Sequence, residues 1–395
     1  MHGRSKSTSI ITAAFALWSL SVSALSNPED STDADIWRNF GEQLKAASQF
    51  IHHPDTPRDP VTIADGYQML PRIFRLAWEY AFEYADPEHP ILFKSTDSYL
   101  TNGWQTSDAV YHSAVIDGSK NYRLSGKRGT APFFELTANE GFDGMHGQSR
   151  MVSSITEDNL TVDANNNIDI LIGPGIKSGA GLATTANTNF VFLRQYSHNW
   201  EDTEAAQIKI ERLPESADSS QRFSLEAPSR HSIDGAFQTT LRYMLNYLKT
   251  YHTRAANIVK NSRNTLVAFP YNVPDKGSTM PAGHRFAVGA YDVTEKQALV
   301  VTFKPTEAPY WAFQMGNFWG ETLAYQAGAA TVINNQSIKQ EADGSVRLVI
   351  SQGKCPATAL NCLTSLGRQV GIVIYRQARQ LELFPEFHTQ LIELD

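Results

Sequence analysis

Apolar positions recur at helical spacing in three stretches and alternate with polar ones over most of the remaining chain. From Asp33 to Phe50, Trp37, Phe40, Leu44 and Ala47 fall three or four residues apart behind the capping run Ser31-Thr32-Asp33. Asp59-Pro60 opens a second helix, with Tyr67, Leu70, Phe74, Ala77, Trp78 and Ala81 on one face; Pro71 is expected to kink it and Asp86-Pro87 to end it. A third runs from about Ile233 to Val259, striped by Phe237, Leu241, Met244, Leu248 and Tyr251. Each stripe is expected to be a core face.

After the second and third helices the pattern changes to short alternating runs rich in Val, Ile, Phe, Tyr and Thr, broken by Gly, Asn and Asp, which predicts antiparallel strands. The two strand-rich regions can be laid on each other. Lys127 to Leu136 matches Lys304 to Phe313 at an offset of 177, Ile168 to Ile172 matches Val346 to Ile350 at 178, and Leu193-Arg194-Gln195 matches Tyr375-Arg376-Gln377 at 182. The expected fold is therefore α+β and β-rich, a tandem duplication of antiparallel β-sandwich units each preceded by a long helix; a single large mixed sheet is the alternative. The boundaries read as a signal peptide over 1–26, an N-terminal helical region over 27–104, a first unit over 105–230, a linking helix and loop over 231–283, and a second unit over 284–395.

The signal peptide is read from Arg4 and Lys6, the apolar stretch Ile10 to Ala24, and small residues at Val22, Ala24 and Ser26. It places the mature protein in the periplasm or outside the cell, with no stable membrane insertion. A net charge of −7 without a basic run sets nucleic acid aside as a partner. The two cysteines, Cys355 and Cys362, share one loop, and export favours a disulfide between them.

Tyr111-His112-Ser113-Ala114-Val115-Ile116-Asp117-Gly118, with Tyr122 to Gly126, Gly129-Thr130-Ala131-Pro132, and Ala308 to Met315 followed by Asn317 and Trp319, resembles the uncharacterised bacterial family catalogued as domain of unknown function 1214. The resemblance covers most of the chain after Asp59. It implies an exported β-sandwich protein with no agreed activity. Members carry an Asn-Trp-Leu-Asp motif near the C-terminal end; here that region reads Asn361-Cys362-Leu363-Thr364, so an activity tied to that loop would not carry over.

Local signatures of chemistry are sparse. Gly173 to Gly179 lacks the order of a phosphate loop, and Asp163, Asn165, Asn167 and Asp169 lack the Gly and Glu of a calcium loop. No hydrolase elbow, zinc motif or cofactor fingerprint occurs, so no cofactor and no metal is expected. His112, His146, His198, His231 and His284 lie in or near β-rich segments where loops could gather them. Arg194 and Arg376 recur at equivalent places in the two halves and suit a ligand carboxylate. Phe133-Phe134 and Tyr310-Trp311 must each split between the two faces of a strand, and Trp104, Tyr111, Trp200 and Trp319 are further aromatic candidates.

These residues suggest a cleft where the two sandwiches meet. Glu135 answers to Ala312 across the repeat, while Trp311 and Trp319 have no Trp partners. The expected ligand-binding residues are Tyr310, Trp311, Trp319, Arg194 and Arg376; the expected proton-transfer groups are Glu135, His112 and His146. The expected function is binding of a small molecule, glycan or lipid; a hydrolase or lyase with residues drawn from dispersed loops is the alternative.

Overall fold

In the computed structural model, which describes residues 33–96, 101–142, 144–146, 149–177, 179, 181–214, 227, 229–268, 284–323, 330–379 and 383–394, the helices form where apolar spacing puts them but present different faces. The signal segment lies outside the described residues. Helix α1 (Asp33–Ala46) runs into a 3-10 turn, Ala47–His52. Helix α2 (Pro60–Trp78) is capped by Asp59, whose carboxylate accepts from the Thr62 amide at 2.9 Å, with Pro60 at the first position where its missing N–H costs nothing. It continues past Pro71 into a π-turn, Glu79–Glu83. Helix α3 (Arg230–Asn261) begins with a reciprocal cap between Ser229 and Ser232.

The expected stripe of α2 is displaced. Tyr67 is 50% exposed, and the helix buries Thr62, Asp65, Gly66, Met69, Ile73, Leu76 and Ala77 instead. The reason lies in what covers it: Arg368 forms a forked ion pair with Asp65, and Trp319 packs against Gly66, its indole N–H donating to the Thr62 carbonyl at 2.7 Å. Trp37 also stays 64% exposed, touching Phe40 and Phe237 from outside.

The strands repeat. In the first half, β1 (Phe93–Lys94), β2 (Ala109–Val115), β4 (Phe133–Glu140), β5 (Arg150–Thr156) and β8 (Phe190–Tyr196) form a sheet of order β1-β2-β8-β4-β5. It faces a second sheet, β7-β6-β3-β9, made of β3 (Tyr122–Lys127), β6 (Asn167–Pro174), β7 (Leu182–Thr184) and β9 (Gln207–Arg212). In the second half, β10 (Val267–Ala268), β11 (His284–Asp292), β13 (Tyr310–Gly316), β14 (Val332–Asn334) and β17 (Val370–Ala378) give the order β10-β11-β17-β13-β14. Opposite them β12 (Gln297–Phe303), β15 (Val346–Ser351), β16 (Asn361–Thr364) and β18 (His388–Glu393) give β16-β15-β12-β18. The two topologies are identical.

The correspondence extends to register. Arg194 stands between Tyr111 and Glu135 on the neighbouring strands, and Arg376 stands between Phe286 and Ala312 in the same way. Phe134, Leu136, Ile170 and Leu193 fill the first sandwich; Trp311, Phe313, Leu348 and Tyr375 fill the second. Burying each such side chain contributes about 1.5–3 kcal/mol.

The two five-stranded sheets then turn their outer faces towards each other. At one end Phe133, Tyr196, Tyr310, Ala312 and Ala378 pack together across the joint. At the other, α2 and α3 contribute Met69, Ile73, Tyr247 and Tyr251 to a core shared with Phe190 of β8 and Ile372 and Ile374 of β17. Cys355, in the loop before it, is disulfide-bonded to Cys362 of the edge strand β16. Among the described residues no helix is long and apolar enough to cross a membrane, and the disulfide is compatible with an extracytoplasmic location.

The seat of Trp319 on α2 makes a stability prediction. Helical Gly→Ala normally stabilises by about 0.5–1 kcal/mol, but a Cβ on Gly66 would stand 2.7 Å from Trp319 Cζ2. Gly66→Ala is expected to destabilise by about 1–3 kcal/mol in equilibrium urea unfolding. A gain in stability would mean that the indole does not hold this position.

A buried polar seam as candidate functional site

Side chains alternate across a strand, so Tyr111, Phe133, Glu135, Arg194 and Tyr196 project from the first five-stranded sheet on the face opposite its sandwich core. Phe286, Tyr310, Ala312, Arg376 and Ala378 do the same from the second. Where these faces meet, the apolar contact gives way to a seam of buried charge.

Glu135 is its centre. The side chain is fully buried, accepts a hydrogen bond from His284 Nε2 and forms an ion pair with Arg379 Nη1 at 3.0 Å, both on the second half. Arg379 also grips Glu157 with two bonds of 2.8 and 2.9 Å. Burial opposes charge on Glu135, but the hydrogen bond from His284 and the charges of Arg194 and Arg379 outweigh it and lower the pKa of the carboxyl. Burial and the same two guanidinium groups keep His284 neutral. Its Nε2 therefore carries the proton donated to Glu135, and its Nδ1 is a buried lone pair without a partner.

Arg376 lies at the other side of the seam. Its guanidinium is stacked 4.9 Å over Phe286, and its Nη2 donates to the Trp104 carbonyl at 3.1 Å. The hydroxyls of Tyr111, Tyr196 and Tyr310 surround it, that of Tyr196 without a well-aligned hydrogen bond. Among the described residues Arg376 has no carboxylate at ion-pair distance, and its Nε is unpaired. Asp108, whose charge is felt by Arg376, accepts from Tyr310 at 3.1 Å and Asn334 at 3.0 Å, yet burial pushes its pKa up to about 6. Two residues that bound the seam, Trp104 (φ 48°) and Arg379 (φ 64°), hold left-handed backbone conformations that cost a non-glycine residue about 1 kcal/mol or more. Such strain persists only where surroundings impose it.

The structure thus brings Glu135, Tyr310, Arg194 and Arg376 into one seam. It places the other expected residues elsewhere. His112 projects from the opposite face of β2 to Tyr111, and its pKa is lowered to about 4 by burial and Lys94. His146 sits against α3, bonded to Tyr243. Trp311 takes the core side of β13, leaving Tyr310 in the joint, and Trp319 is the seat on α2. His284, Arg379, Asp108 and Tyr196 complete the seam. Of these His284 belonged to the five histidines in β-rich segments, and Arg379 follows the repeated Arg376-Gln377 by two residues; Asp108 and Tyr196 carried no signal beyond a place next to or within a strand.

No protein-family model and no curated protein sequence matches the chain. Among solved structures, the fold is similar to that of an uncharacterized protein from Burkholderia cenocepacia, with a TM-score of 0.84 at 22% identity over 91% of this chain and 97% of that one. A protein of Vibrio parahaemolyticus aligns at a TM-score of 0.45 and 10% identity, over 88% of this chain and 98% of that one. The first likeness shows that the duplicated fold occurs elsewhere and says nothing of chemistry.

Asp108 ties stability to pH. Its folded pKa of about 6 exceeds the ordinary 3.8, so the native state holds the proton more tightly than the unfolded chain. The stabilisation is complete below about pH 4 and is lost as the pH rises through about 6, an effect on the order of 2–3 kcal/mol. Urea unfolding from pH 4 to 8 should show this fall in the stability of the wild type relative to Asp108→Asn, whose amide oxygen can still accept from Tyr310 and Asn334 and which shares every other titrating group. Parallel profiles would mean that Asp108 titrates elsewhere.

Proposed function

We propose that the chain is an exported protein, periplasmic or secreted, that binds an acidic small molecule, free or as the terminal part of a glycan or lipid, in the seam between its two sandwiches. The carrying observation is the broken symmetry of the arginines. Glu135 faces Arg194 across the strand pair, but Ala312 occupies the equivalent place beside Arg376. A buried guanidinium with no carboxylate at ion-pair distance is poorly compensated, and a ligand carboxylate is its natural partner. Phe133, Tyr196 and Tyr310 supply flat apolar walls beside it, and the part-exposed Arg379 and Glu157 mark the rim through which a ligand would enter. Membership of the domain of unknown function 1214 family is part of the same proposal and rests on the motifs at Tyr111 to Pro132 and Ala308 to Trp319.

Calorimetric titration with uronic acids, fatty acids and aromatic acids, each beside its neutral analogue, tests this reading. Acids should bind more tightly than neutral analogues, and Arg376→Gln should weaken them at least about tenfold. Ala312→Glu, which copies the Glu135–Arg194 arrangement, should abolish the acid binding that Arg376→Gln weakens while the protein stays folded by circular dichroism. Equal binding of acids and neutral analogues, or undiminished acid binding in Ala312→Glu, would overturn it.

A second reading, a hydrolase or lyase acting on a glycan, ester or lipid, is favoured by the Glu135–His284 pair. A neutral imidazole oriented by a carboxylate, with its other nitrogen unpaired, has the disposition of a general base. Turnover lost in His284→Asn with acid binding retained would select this reading; binding without turnover in the wild type would exclude it.

A further inference from the structure

We infer that the chain has a second ligand site, separate from the seam, which takes a small carboxylate with an aromatic or short aliphatic body. It is a cavity of about 280 Å³ where the first half of α3 crosses the π-turn that ends α2 and the outer face of β8. Its shape has a local origin. Gly235 and Ala236 give α3 almost no bulk there, and a Cβ added at Gly235 would meet nothing within 4 Å. The π-turn widens the end of α2 over the same space, a distortion that often marks a functional position.

The floor is apolar. Phe190 and Val115 come from the sheet and Ala81 from the π-turn; Tyr80 also lines it, with its hydroxyl already donating to Ser113 at 2.7 Å, so that it offers only its ring. The opposite wall is polar and cationic. Arg242 is exposed at the mouth, and no carboxylate among the described residues pairs with it.

Tyr243 supplies a directed donor. His146 Nδ1 accepts from the Phe142 amide at 3.0 Å, which places the ring proton on Nε2. Burial and Arg242 hold the imidazole neutral. Nε2–H therefore donates to the Tyr243 oxygen across 2.7 Å, and the phenolic hydrogen is left to point to another acceptor. No acceptor for it occurs among the hydrogen bonds of the described residues, and Tyr243 lines the cavity. One carboxylate oxygen can meet that hydroxyl while the guanidinium of Arg242 meets the other, with the ligand body against Phe190. His146 thus has a positioning role: it fixes the direction in which Tyr243 donates.

Benzoate and hexanoate, with benzyl alcohol and hexanol as neutral counterparts, are the probes, titrated into the full chain by calorimetry and followed by nuclear magnetic resonance shifts of α3. Both acids should bind saturably, Arg242→Gln should weaken them at least about tenfold without changing the alcohols, and Tyr243→Phe should weaken them by a smaller factor. Gly235→Leu fills the cavity and favours the helix, so, combined with Ala312→Glu to silence the seam, it should remove acids and alcohols alike in a folded protein. The seam variant Ala312→Glu should leave binding at this site unchanged, which separates failure here from failure of the seam. Absence of saturable acid binding up to about 10 mM, or wild-type affinity in Gly235→Leu combined with Ala312→Glu, would overturn the site.

Discussion

Everything at the centre of this molecule depends on one buried carboxylate. Glu135 leaves water entirely, a loss worth several kcal/mol for an ion without partners. Its compensation comes from both halves: Arg194 stands on the adjacent strand, while His284 and Arg379 cross from the second sandwich. The outer face of the first five-stranded sheet is therefore acceptable only when the second covers it. The same interaction fixes the relative position of two sandwiches that could otherwise slide on apolar contacts, because a hydrogen-bonded ion pair tolerates far less displacement than hydrophobic packing does.

Duplication explains both what is regular in the fold and what is chemically unbalanced. The two halves share strand order, register and the placement of an arginine at one outward position. Divergence at the neighbouring position, Glu135 against Ala312, then makes one arginine structural and leaves the other without an acid across the strand. A joint between identical surfaces would carry the same pairs twice. This one carries a pair on one side and a cation ringed by phenols on the other, an asymmetry of the kind a polar ligand can use.

The helices do more than lead into each sandwich. They wedge together into the apolar end of the joint, and the loop after β13 returns to them through Phe318 and Trp319. The polar end is thus the part of the inter-sheet space that the helices leave uncovered. Its strained residues, Trp104 and Arg379, sit at the points where the chain leaves or approaches the sheets, positions that set the carbonyl and guanidinium facing the seam.

The repeat, the four-sheet content, the three helices and the disulfide were legible in the chain, because each depends on local spacing: alternation, a helical stripe behind a cap, two cysteines seven apart. Alternation also correctly divided Tyr310 from Trp311, one to the joint and one to the core, though it could not say which. What escaped was partnership. Tyr67 has the spacing of a core face that the fold leaves open, since the surface covering α2 is built by Trp319 and Arg368, more than 250 residues later. His284 and Glu135 are 149 positions apart, and nothing near either residue marks the other. Local pattern specifies which face of an element is buried in general; which ionic groups meet across a joint is decided by long-range packing, where the cost of burying a charge selects its partner.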